Sequence, residues 1–223
     1  MKPGSSVEVL TERLRLRRMR PEDVPDWYRL VLSDPDVMRY LPSGRPVPFD
    51  RTYEVLDRFD EAWAHGGFGP WGVELRSSGA LVGHAGLRRV EELPGEVEVL
   101  YSLGREHWGK GYATEAARAS VRFGFERLGL PRILAFAVPA NMPSRRVLEK
   151  LGMTLERRAR LFGIDVVVYR VERERFDAGS DQYEIREGAG LSPPTWPRAP
   201  GRTARRAPNR RGTGSSEPTD SRG

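Results

Sequence analysis

The chain has no cysteine among its 223 residues. That excludes disulfides, thiolate metal sites and any thiol-borne covalent intermediate, and it leaves the redox compartment unmarked. Lysine is nearly absent as well. Lys2, Lys110 and Lys150 are the only ones among 37 basic residues, a skew that points to a GC-rich genome rather than to arginine-specific chemistry. Histidine occurs three times, at His65, His84 and His107, without the paired spacing of ligands, so no metal is expected. No apolar run approaches the roughly 20 residues of a membrane-spanning helix, and residues 1–8 are polar, without the apolar core of a secretory signal. A cytoplasmic chain without membrane contact is expected, as a monomer or a homodimer.

What the chain does have is enough length for one domain with a sizeable core, and a sharp change of composition near residue 178. Residues 178–223 are rich in Pro, Gly and Arg, and their few large apolar side chains are Tyr183, Ile185, Leu191 and Trp196. Such a segment cannot bury enough surface to offset chain entropy. A disordered tail is expected over 178–223, a flexible stretch over 1–9, and one domain over 10–177. The tail carries Arg202, Arg205, Arg206, Arg210 and Arg211 within a net charge of +6 for the whole chain. It reads as a solvated extension or, alternatively, as an arm for weak contact with RNA or a ribosome.

Within the domain, apolar spacing alternates between the two secondary-structure periods. A first strand is expected over 14–18. A helix with Pro21 and two acids in its first turn follows to about residue 33. Helices over 36–41 and 50–64 precede three strands in a meander, 71–76, 80–90 and 96–103, with a hairpin signal at Ser77, Ser78 and Gly79. A helix over 113–128 comes next, in which Gly124 permits close packing. A fully apolar strand over 133–138 suits a central position. A helix over 144–151 is closed by Gly152, and strands over 154–159 and 164–172 finish the domain. The order describes an α/β (α+β) domain whose mixed, mostly antiparallel twisted sheet is flanked by helices.

The segment between the third meander strand and the next helix carries the strongest signal. A strand, a turn with Gly109 and Gly111, and a helix start bring several free backbone N–H groups and a positive dipole end to one point, which suits a phosphate. Gly104 to Lys110 has the glycine and lysine spacing of a nucleotide-binding loop, but position 111 is glycine where a magnesium-binding hydroxyl is needed. A dinucleotide pattern half-fits, yet Thr114 stands where its third glycine belongs and no acid follows at the ribose distance.

Trp108, Gly109, Lys110, Gly111, Tyr112, Ala113 and Thr114 resemble the loop by which GNAT N-acetyltransferases hold the pyrophosphate of acetyl-coenzyme A. The longer string through Glu115 and Ala116 resembles the branch of the ribosomal-protein N-terminal (RimJ/RimL-type) enzymes. Two later segments match in order and spacing: the run from Asn141 through Ser144 to Met153, and Gly163, Asp165 and Tyr169 on the last strand. The resemblance covers roughly residues 10–176. It implies a sheet with two adjacent parallel strands splayed to admit acetyl-CoA, and it implies acetyl transfer to an amine. One departure is Trp108, where a Gln or Arg is usual, which leaves the backbone amides to grip the phosphates.

Acetyl transfer needs a base for the amine, a donor for the oxyanion and a partner for the departing thiolate. Glu98, in the string Glu98, Val99, Leu100, Tyr101, is the candidate base, directly or through water; Glu96 competes for the role, and a solvent-facing carboxylate is the plain alternative. The resemblance implies that Leu103 offers backbone groups to the acyl or pantetheine amide, that Asn141 bonds the pantetheine arm and that Ser144 lies near the sulfur. Helix capping alone also accounts for Asn141 and Ser144. Lys110 adds charge near the phosphates or is simply solvated, and Glu115 reads as a first-turn acid. His84 lies on a strand where it could face the cleft. Trp63, Phe68, Trp71 and Phe49 either wall an acceptor pocket or fill the core. The acceptor is expected to be a protein N-terminal amine, with a small-molecule amine or antibiotic as the alternative. Outside the enzyme class stands a non-catalytic acetyl-CoA-binding or ribosome-associated module.

Overall fold

The computed structural model describes residues 7–180 and 182–187. Among the described residues nine strands form one sheet, in the order β7-β8-β6-β5-β4-β3-β2-β1-β9. They are β1 (Val7–Thr11), β2 (Leu14–Arg17), β3 (Pro70–Leu75), β4 (Leu81–Arg89), β5 (Val97–Leu103), β6 (Arg132–Ala137), β7 (Thr154–Leu161), β8 (Ile164–Glu172) and β9 (Tyr183–Glu187). Every neighbouring pair is antiparallel except β5 and β6, which run parallel and share a single registered pair, Glu98 with Leu134. Beyond that pair the two strands part, so the middle of the sheet opens toward the carboxyl end of β5.

Helices cover both faces. On one lie α4 (Tyr112–Glu126) and α5 (Met142–Lys150); on the other are α1 (Val24–Trp27), α2 (Pro35–Met38) and α3 (Thr52–Gly66). The α4 side holds the main core, with Leu87, Val97, Val99, Val121, Phe123 and Ile133 among its members. Gly124 is required there: a Cβ would stand 2.7 Å from Ile133 Cδ1 and 2.9 Å from Leu87 Cδ1, so the missing side chain lets α4 settle onto β4 and β6. Trp63, Phe68 and Trp71 are core residues, and the exposed Phe49 packs edge-on to Tyr28 instead of walling a pocket.

Three local differences from the sequence reading have physical causes. Residues 7–9 belong to β1, where a flexible stretch was expected. Val7 and Val9 are fully buried, and the Trp71 Nε1–H donates to the Val7 carbonyl at 3.0 Å. The helix expected through residue 33 ends in a π turn over Tyr28–Leu32, which buries three successive side chains, Leu30, Val31 and Leu32, more than a one-sided α-helix would. Finally, Tyr183–Glu187 pairs along the whole of β1, from Val7 opposite Glu187 to Thr11 opposite Tyr183. The alternation of Tyr183 and Ile185 with polar neighbours is enough for an edge strand once β1 supplies a partner. The expected disorder over 178–223 therefore does not apply to this segment. The arginines from Arg202 to Arg211 lie outside the described residues, and a truncation meant to test them as an RNA arm must begin after Glu187 to keep the sheet whole. No described helix is long and apolar enough to cross a membrane.

Candidate active site

The glycine loop runs from the end of β5 into α4. Gly109 and Gly111 have φ of +74° and +83°, a left-handed conformation open to glycine at little cost. Among the described residues, no backbone N–H from Gly109 to Thr114 has an acceptor. These donors, together with the positive end of a 15-residue helix, make a cradle for phosphate oxygens. Trp108 is 42% exposed, but its Nε1–H donates to the Leu103 carbonyl at 2.8 Å. The indole closes the turn instead of offering a donor to phosphate, and it occupies one of the Leu103 groups expected to meet the coenzyme. Lys110 is exposed beside the cradle.

The loop is held from behind by the β1–β2 turn, which sequence reasoning missed. Glu115 accepts from the Thr11 hydroxyl at 2.6 Å, from the Arg13 N–H at 2.9 Å and from Arg13 Nε at 2.7 Å. Arg13 Nη1 in turn donates to the Lys110 carbonyl at 3.0 Å, and its guanidinium lies 4.7 Å from the centre of the Tyr112 ring. Glu115 is thus more than a first-turn acid; it is the post to which the hairpin ties the loop. Arg13 is half-exposed, so its bonds are worth about 1 kcal/mol in loop order. Arg13→Ala is expected to raise the KM for acetyl-CoA by roughly 3- to 10-fold with kcat nearly unchanged. Steady-state thiol release checks this, and an unchanged KM would mean that the loop supports itself.

A cavity of about 320 Å³ passes through the opening between β5 and β6 and touches both faces of the sheet. On the α5 side lie Tyr101, Asn141 and Ser144. The Tyr101 hydroxyl is 3.0 Å from Ser144 Oγ and 3.1 Å from the Ser144 carbonyl, and burial pushes the phenol above its ordinary value. Asn141 Oδ1 accepts the Ser144 N–H at 3.2 Å, so the capping interaction is real; the Asn141 amide hydrogens have no partner among the described residues. On the α1–α3 side lie Glu98, Arg88 and His84. Glu98 is 4% exposed and accepts from Arg88 at 2.5 and 3.0 Å. Burial raises its carboxyl above the usual range, against the opposing pull of Arg88. Glu96, the competing carboxylate, is instead paired with Arg132 and does not line the cavity.

Tyr101 and His84, both in the cavity lining, carried no assigned chemistry in the sequence reading. Tyr101 stood in the quoted strand string, but nothing local announces its contact with Ser144, 43 positions away. His84 was considered only as a residue that could face the cleft. It lines the cavity, 7% exposed, with Nδ1 accepting the Trp27 indole N–H at 3.0 Å.

An open central pair of parallel strands above a glycine-rich helix start is an acetyltransferase arrangement, and the comparisons agree. The family model described as an acetyltransferase (GNAT) domain matches residues 13–154. The chain belongs to the GNAT family and is an acetyl-CoA-dependent N-acetyltransferase. It is similar to YkkB of Bacillus subtilis (strain 168), 31% identical over 178 residues that cover 78% of this chain and 99% of the relative. The crystal structure of a GNAT-family acetyltransferase from Bacillus anthracis superposes with a TM-score of 0.65 at 29% identity, covering 75% of this chain and 99% of that one. RimJ of Mycobacterium smegmatis, in complex with CoA-disulfide, shares the fold with a TM-score of 0.64 at 23% identity, covering 78% and 89%.

Proposed function

We propose that the chain transfers the acetyl group of acetyl-CoA to the α-amine of a protein or peptide N-terminus, by direct attack in a ternary complex. The observation that carries this reading is the cavity through the opened sheet, which joins a carboxylate on one face to a hydroxyl pair on the other. The residues from Gly109 to Thr114 hold the pyrophosphate, and the Asn141 amide meets the pantetheine arm. The thioester then lies between β5 and β6, with its sulfur toward Ser144 and its carbonyl open to an amine from the α1–α3 side. Glu98 takes the proton of the attacking ammonium, directly or through one water. As the tetrahedral adduct collapses, the C–S bond breaks and the second amine proton passes to the departing thiolate, directly or through water, while the Ser144 hydroxyl, supported by Tyr101, hydrogen-bonds the sulfur without giving up its own proton. The absence of cysteine leaves no thiol to carry the acetyl group, which favours direct transfer over a covalent relay.

The resemblance of residues 108–116 to the ribosomal-protein N-terminal enzymes supports an N-terminal acceptor, and the cavity volume suits one or two terminal residues. The same volume accommodates a free small amine, which is the second reading. Thiol release against a panel of N-terminal peptides and size-matched small amines distinguishes them. The expected result is a kcat/KM for the best peptide at least about 10-fold above that of any free amine. The reverse ranking would establish the small-molecule reading, and acetyl-CoA binding without turnover of any amine would overturn both.

A further inference from the structure

One polar side chain in the acceptor half of the cavity, His84, has no part in proton or sulfur chemistry. Its ring is packed against Trp27 and Phe59, with centroids 5.5 and 5.3 Å away. An indole nitrogen can only donate, so the bond from Trp27 makes Nδ1 the unprotonated nitrogen, and the ring hydrogen of the neutral imidazole sits on Nε2. Nε2 has no partner among the described residues, while the ring lines the cavity. Burial, with Arg88 nearby, pushes the imidazole down to about 3, so it stays neutral near pH 7 and is a poor base. What remains is an N–H donor of fixed direction, beside walls that include Leu41, Val55, Phe136 and Phe162. Arg88, the arginine on the same face of the strand, is committed to Glu98.

A fixed donor in an apolar cavity favours a ligand that brings an acceptor atom to it, because a ligand without one leaves the N–H unpaired. The strand register sets the distance. His84 lies opposite Ser102, and Glu98 lies opposite Arg88, four residues earlier on β5. At about 3.3 Å per residue this is roughly 13 Å between backbone positions. The two side chains stand off the same face of the sheet, and after a hydrogen bond of about 3 Å at each end the remaining gap is about two amino-acid residues long. An amine at Glu98 and an oxygen at His84 are therefore two points on one extended ligand.

Resting on the acetyl-transfer reading, the geometry points to His84 as a specificity-determining donor: its Nε2–H recognises the first or second carbonyl oxygen of a peptide N-terminus and so selects aminoacyl acceptors over plain alkyl amines.

The test compares kcat/KM for a dipeptide amide with that for an alkylamine of equal length, in the full-length protein and two variants. In His84→Asn the side-chain oxygen can still accept the Trp27 N–H, but the chain is too short to present a donor where Nε2 was. In His84→Gln an amide nitrogen reaches the Nε2 position. The peptide-to-alkylamine ratio is expected to fall about 30-fold in the Asn variant and to stay within a few-fold of wild type in the Gln variant. Once each rate is corrected for the ionisation of its own amine, the wild-type ratio is expected to be flat from pH 6 to 9. A structural role alone would lower both substrates together and leave the ratio unchanged, which would overturn the assignment; an inflection of the ratio near the ordinary histidine value would overturn it as well. If neither amine is acetylated, the acetyl-transfer reading fails separately. Calorimetric binding of the same two amines to the CoA-loaded protein then decides for His84, with a peptide preference lost in the Asn variant supporting it, and equal or absent binding overturning it.

Discussion

Gly111→Val is expected to weaken acetyl-CoA binding by about 100-fold or more while leaving the domain folded. Gly111 sits at φ +83° as the cap of α4, a conformation that costs an L-residue about 1–2 kcal/mol and a β-branched one more. A Cβ there would also stand 3.2 Å from Arg13 Nη2, the guanidinium that ties the loop to the hairpin. The chain relieves both by turning its N–H groups away from a common point, and a bulky side chain then occupies the approach of the phosphates. Gly95→Val separates strain from binding. Gly95 has φ +88° with nothing within 4 Å, in the turn between β4 and β5 and away from the loop. Both variants are expected to lose several degrees of melting temperature. Only Gly111→Val is expected to lose acetyl-CoA affinity, read by titration calorimetry; equal affinities in the two variants would show that the cradle is not where the coenzyme binds.

The second large effect is expected at Glu98. Glu98→Gln keeps the side-chain volume and can still meet Arg88 through its carbonyl oxygen, but it cannot take a proton. A fall in kcat of about 10²- to 10³-fold is expected, within the range typical of a lost general base. The pH dependence carries the sharper signature. The base must be ionised to act, so kcat/KM rises with pH as Glu98 loses its proton, and burial places that rise above the ordinary carboxylate range. The Gln variant should lack this limb. A small loss of kcat with the limb intact would hand the proton to water and leave Glu98 as the partner of Arg88. Stability follows with a definite sign. The folded state holds this proton more tightly than the unfolded state, so stability falls as pH rises from the unfolded carboxylate value through the raised folded value. Glu98→Gln is expected to remove that slope from thermal melts taken across the interval.

Features written in local periodicity were legible in the sequence. The meander, the helix seated by Gly124, and the loop of Gly109 and Gly111 each depend on residues within a few positions of one another, and the structure has them close to their expected bounds. The parallel neighbours β5 and β6 followed from the resemblance, and their single registered pair is the opening that it implied. Contacts between distant segments were not legible. The β1–β9 pair joins the two ends of the domain, and each strand alone is five residues of weak alternation beside polar chain. The ties from Arg13 to Lys110 and Glu115 span about a hundred positions, as does the bond from Thr11 to Glu115. His84 was ambiguous because its meaning lies in Trp27, 57 positions earlier, which settles which ring nitrogen carries the hydrogen. Trp108 is the local exception: its departure from the usual Gln or Arg was plain, but that the indole would turn back to Leu103 follows only from the shape of the turn.

That turn gives the protein an optical property. Of the five tryptophans, Trp27, Trp63 and Trp71 are buried and Trp196 lies beyond the described residues. Trp108 alone among the described ones presents its ring to solvent, at the mouth of the phosphate cradle. The chain therefore carries a native fluorophore that a soluble quencher reaches and an arriving coenzyme shields, so occupancy of the donor site can be followed by light emission without any label.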